Sequence, residues 1–99
     1  MATAYLTFCR VAARAPMNTA TVLAGPAPRS ETVTTSGVSA QGTKTAFDGE
    51  IAQVWCATTV VAVVGANPTA TLAGGIVCPA NVPIYLDVVY GDKIALIDG

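Results

Sequence analysis

The second half of the chain is a series of branched, apolar runs cut at intervals by turn residues. Residues 51–64, 84–90 and 93–97 are dominated by Val, Ile, Leu, Thr, Tyr and Trp. Such side chains pack well on a pleated, half-buried surface. Between the runs stand Gly65-Ala66-Asn67-Pro68, the proline-bounded stretch 78–83, and a tight corner at Tyr90-Gly91-Asp92. Gly supplies left-handed backbone there, and Pro removes a donor and fixes its own φ. No segment carries a clear 3.6-residue period. Short strands at roughly even spacing with turn residues between them predict an all-β fold, a small antiparallel β-sandwich (jelly-roll-like) or barrel.

The chain has 99 residues, the size of one domain able to bury a core without metal or disulfides. No internal repeat or second composition zone divides it. Its organisation is read as one domain over 1–99, with an extended N-terminal segment at 1–29 as an arm or edge piece and the sandwich core at 30–99.

In the first half, Ala4 to Ala12 reads as a strand, with Tyr5, Thr7, Cys9 and Val11 on one face and Ala4, Leu6, Phe8 and Arg10 on the other. Pro16, Gly25, Pro26 and Pro28 punctuate the next stretch, leaving room for a short strand at Thr19 to Leu23. Residues 30–36 form a polar strand whose lone large apolar residue is Val33. Residues 37–42 turn, and 44–47 enter another short strand with Phe47 as its core anchor. Asp48-Gly49 is a hairpin signal. From Glu50, Ile51, Gln53 and Trp55 alternate with Ala52, Val54 and Cys56, so both faces of that strand are apolar and Trp55 is assigned to the core. Residues 51–64 exceed the usual strand length of about 3–10 residues, so a bend is expected at Ala57-Thr58-Thr59. Residues 84–90 and 93–98 are expected to pair around Gly91-Asp92.

Chemistry is largely excluded. There is no histidine, which removes the commonest general base and every Ser-His or Cys-His arrangement. Asp48 and Glu50 flank a turn glycine and read as a solvated hairpin end rather than an acid/base pair. Asp87, inside residues 84–90, reads as an outward charge that discourages edge pairing. The three cysteines, Cys9, Cys56 and Cys78, lie in apolar surroundings and read as small buried thiols, with a Cys56–Cys78 bridge open only if their strands are neighbours. No metal-ligand spacing and no acid-rich loop occur, and no phosphate loop is present. No catalytic residue, cofactor or metal is therefore expected. A net charge of −1 gives no basis for nucleic-acid or anionic-membrane binding. The longest apolar stretch falls short of a membrane span, and residues 1–5 lack the pattern of a signal peptide.

Only 11% of residues are charged, against about 25% in an average soluble domain. A surface so poor in charge fits either a compact β domain with a neutral Thr/Ala/Ser surface or one partly covered by other subunits. Tyr5, Arg10, Arg14 and Arg29, all in the first 29 residues, are the candidate partner contacts, because Tyr and Arg are enriched at interfaces.

Three pieces in the second half carry a resemblance. Gly65-Ala66-Asn67-Pro68-Thr69-Ala70-Thr71, then Pro79-Ala80-Asn81-Val82-Pro83-Ile84-Tyr85, then Gly91-Asp92-Lys93-Ile94-Ala95-Leu96-Ile97 match the order GxxPTAT, PAxxPxY, GDKIAxI. This order resembles the C-terminal region of small structural proteins encoded among tailed-phage virion genes, and Ser39-Ala40-Gln41 is similar as well. The resemblance spans roughly 39–98. It implies a non-enzymatic capsid decoration or cement protein, made in the host cytoplasm and carried on the virion. The implied partners are the major capsid protein and further copies of the chain, as a dimer or trimer. A tail or head–tail connector component and a small sandwich module binding sugar or peptide are the alternatives.

Overall fold

The computed structural model describes residues 2–10 and 29–99. Eight strands form in chain order: β1 (Ala2–Arg10), β2 (Arg29–Thr35), β3 (Ala40–Gln41), β4 (Glu50–Cys56), β5 (Val60–Gly65), β6 (Ile76–Cys78), β7 (Ile84–Asp87) and β8 (Lys93–Asp98). They make two four-stranded antiparallel sheets, β2-β1-β4-β7 and β3-β8-β5-β6. This is the expected sandwich, and it is not a closed barrel. The pairings are nested: β5 pairs with β6, β4 with β7, β3 with β8. The next partner of β2 would be a ninth strand, and β1 takes that place. Nesting of this kind is how a long antiparallel ribbon rolls into two facing sheets.

Alternation explains the core. Ala4, Leu6 and Phe8 of β1 face inward beside Ala52, Val54 and Cys56 of β4. Val60 and Ala62 of β5 meet Ile94 and Leu96 of β8 from the opposite sheet. The tyrosine and the threonines of β1 fall on its other face, as expected. The bend expected at residues 57–59 is where the chain leaves the first sheet: β4 ends at Cys56 and β5 begins in the second.

Several expectations are corrected. Residues 84–90 and 93–98 do not pair. β7 stops at Asp87 and pairs with β4, while β8 lies in the other sheet between β3 and β5. The Gly91 corner (φ 87°) therefore carries the chain between sheets instead of closing a hairpin. Residues 44–47 form no strand. Ala46 is instead tied to the Gly91 corner, its N–H donating to Asp92 O at 2.8 Å and its carbonyl accepting from Gly91 N at 2.9 Å. Phe47 is half exposed. Residues 2–10 are no arm either, since β1 lies inside its sheet between β2 and β4. The strand expected at 19–23 falls outside the described residues.

The two outer faces differ. On the second sheet, residues 66–75 fold back as a cover. Ala70 N–H donates to Ser39 Oγ (2.8 Å), and Gln41 Nε2 donates to Asn67 Oδ1 (3.1 Å) and Pro68 O (2.9 Å). Val61 and Ala95, which point outward, are buried as a result. The outer face of the first sheet keeps Thr3, Tyr5, Ser30, Thr32, Thr34 and Tyr85 exposed.

Candidate functional site

Charged and aromatic groups gather at the end of the sandwich where β2 and β4 begin. Arg29 forks onto Glu50, with Nε donating to Oε2 at 3.3 Å and an Nη donating to Oε1. The same Nη donates to Thr45 O at 2.9 Å. The guanidinium lies over the Phe47 ring at 3.7 Å and reaches the Phe8 ring at 5.5 Å. Phe47 N–H donates to Glu50 Oε1 at 2.7 Å. Glu50 is thus a buried, paired carboxylate and not the solvated hairpin end that its neighbours in sequence suggest. Burial pushes its carboxyl up, but the Arg29 and Phe47 hydrogen bonds and the charges of Arg29 and Arg10 outweigh this and hold it below the ordinary glutamate value. A carboxylate so committed is a fastener, with no open side for a substrate. Glu31 is spent likewise, accepting from the backbone N–H groups of Thr43 (2.9 Å) and Lys44 (2.6 Å). Among the described residues no group of His, Cys, Asp and Glu could hold a metal ion, and no helix is long and apolar enough to cross a membrane.

Cys56 and Cys78 both lie in the core and are not bridged. Burial, and after it the neighbouring Cys56, push the Cys78 thiol up, which keeps it a poor nucleophile.

The four residues expected to contact partners do not form one site. Arg29 is engaged by Glu50. Arg10 stands exposed at the end of β1, in register with Glu50. Arg14 lies outside the described residues. Tyr5 alone joins an exposed cluster. It sits opposite Trp55 in the β1–β4 register, with ring centroids 5.8 Å apart and planes inclined at 50°. One strand further, Tyr85 of β7 stands opposite Gln53, whose Nε2 donates to the tyrosine hydroxyl at 3.4 Å. Trp55 therefore belongs to the outer face and not to the core. The sequence signal for this was Gln53, which shares the face of Trp55 and would be costly to bury; the placing of Tyr85 beside it depended on a strand pairing that alternation does not reveal.

A second surface lies along β6. Ile76 and Val77 are exposed, as is Leu72 ahead of them. Beside this edge the sheets part in a cleft of about 350 Å³ lined by Ala62, Val64, Gly75, Ile76, Leu86 and Asp87.

No family model, curated protein or solved structure matches the chain.

Proposed function

We propose that this chain is a non-enzymatic structural protein of a tailed-phage virion, a capsid decoration protein that stabilises the head by binding the major capsid protein. It acts as a dimer or trimer on the outside of the shell. The motif order across residues 65–97 motivates this reading, and the observation that carries it is the edge at β6. Sheet edges in self-sufficient proteins are blunted by charge, proline or brevity. Here β3 is two residues long, β7 carries Asp87, and β2 carries Arg29 and Glu31. The β6 edge is short as well, three residues ahead of Pro79, but it bears no charge: Ile76 and Val77 are exposed and uncharged, with Leu72 and the cleft beside them. An edge of this kind is suited to cover by another subunit, and a stable contact buries about 1,200–2,000 Å² in total.

The test is cosedimentation of the purified protein with shells of the major capsid protein encoded beside its gene, followed by localisation of the added density. Saturable binding at symmetry-related positions is expected, and Val77→Lys with Leu72→Lys should abolish it. A protein that stays monomeric by native mass measurement and leaves such shells unlabelled would sink the reading.

A further inference from the structure

We infer that the outer face of the first sheet is a binding site for a neutral oligosaccharide, seated on Tyr5, Trp55 and Tyr85. This does not rest on shell binding, since it concerns a different face and a different ligand.

The three rings come from three adjacent strands, β1, β4 and β7. Tyr5 and Trp55 are direct cross-strand partners, and Tyr85 stands diagonal to Trp55 across Gln53, within reach of long side chains. The rings thus run across the sheet as a row. Inclination of the first two at 50° makes the row a shallow seat with facets. Pyranose rings present patches of C–H that stack on such facets, and their hydroxyls point sideways.

The groups around the row suit those hydroxyls. Thr7 and Ser30 share a hydroxyl–hydroxyl bond of 3.0 Å, and Thr3, Thr32 and Thr34 continue the polar surface along β1 and β2. The Gln53 amide and the Tyr85 hydroxyl, bonded to each other, add polar groups to the same face. Each of these can donate as well as accept, except that the amide divides the roles between its two ends. This decides between a sugar and a dry protein contact. A packed apolar partner would strip water from the hydroxyls and leave them unsatisfied, which is costly. A sugar returns a donor or acceptor at nearly every position.

Charge narrows the class. Asp87 is the one charged residue on this face among the described strand positions, and no cation accompanies it. A phosphate, a sulfated glycan or a nucleic acid would find no counter-charge here. The corresponding face of the second sheet is closed by residues 66–75, so among the described residues the outer face of the first sheet is the one left open to a chain-like ligand.

Trp55 is the only tryptophan in the sequence, so its emission reports directly on the site. The experiment titrates the full chain with cellohexaose, maltohexaose, mannohexaose and chitohexaose, following Trp55 emission and heat. At least one sugar should give a saturable change. Tyr85→Ala and Gln53→Ala should each weaken it by about tenfold, the scale of one lost stacking or hydrogen-bonding partner, with thermal melting unchanged. Val77→Ala, at an exposed residue of the second sheet, should leave it intact. No saturable response to any of the four sugars overturns the inference. So does a response unaltered in the Tyr85→Ala and Gln53→Ala proteins.

Discussion

Arg29 and Glu50 are held face to face although each opens its own strand and 20 residues lie between them in sequence. The pair joins the start of β2 to the start of β4 across β1, and its guanidinium also closes Phe8 from above. Glu50 is nearly fully buried while Arg29 keeps part of its surface in water. Breaking a buried pair from one side leaves an uncompensated charge, at a cost of about 3–5 kcal/mol. Glu50→Ala should therefore lower the unfolding free energy in urea by about 3 kcal/mol, the low end of that range. Arg29→Met combined with Glu50→Leu should cost less than Glu50→Ala alone, since no charge is left behind.

Acid should reveal the same pair. Glu50 in the folded chain has its carboxyl below the ordinary value, so at low pH the unfolded chain binds the extra proton. Stability from this group is present above the unfolded glutamate pKa and is lost as pH falls through the folded one. The unfolding free energy of the native protein should drop on acidification below the ordinary carboxylate range. Glu50→Gln should start lower and show a shallower acid limb in urea titrations at stepped pH.

Gly75 and Gly37 should respond in opposite ways to one methyl group. A Cβ at Gly75 would press on the Val61 side chain and stand 2.7 Å from the Ala62 carbonyl oxygen, which is backbone and cannot yield cheaply. Gly75→Ala is expected to destabilise by about 1–3 kcal/mol. At Gly37 nothing lies within 4 Å and the backbone is not left-handed. Gly37→Ala should be neutral or stabilising by up to about 1 kcal/mol, through the unfolded chain. Thermal melts of the two variants side by side give the comparison.

Cys56 and Cys78 should resist alkylation in the native protein. Both are buried among apolar side chains, and the Cys78 thiolate is further disfavoured by its surroundings. Peptide mapping after iodoacetamide should find both unmodified in buffer and modified in denaturant. Ready modification of Cys78 in buffer would mean that β6 detaches from β5.

Some of this architecture was legible from residues alone. The alternation of Ala4, Leu6 and Phe8 against Tyr5 and Thr7 assigned the faces of β1 correctly, because a period of two is a local property. The bend at Ala57-Thr58-Thr59 followed from length. The sheet to which each strand belongs was not legible, since an antiparallel hairpin and a crossing between sheets can use the same Gly-Asp corner. That is why β7 and β8 were expected to pair. Phe47 and Glu50 were misjudged for a related reason. An isolated aromatic reads as core and an isolated carboxylate as surface, and the guanidinium that reverses both arrives from residue 29. The candidate site was half legible: Tyr5 was singled out, whereas Trp55 was assigned inward and Tyr85 stood apart from both. Their assembly depends on the β1–β4–β7 register.

The place of β8 has a consequence for how the protein folds. It is the last of the eight described strands in chain order, yet it is the inner strand that holds β3 and β5 together. Until residues 93–98 are in place, β5 can pair only with the three residues of β6, and β3 has no partner in its sheet. The first sheet also waits, because its inner face has nothing to pack against. Closure of long loops must precede any reward from such pairings, which slows folding. The sandwich therefore closes in one cooperative step that requires residues 93–98, and a chain cut short before β8 should be a substrate for proteolysis and not a smaller folded domain.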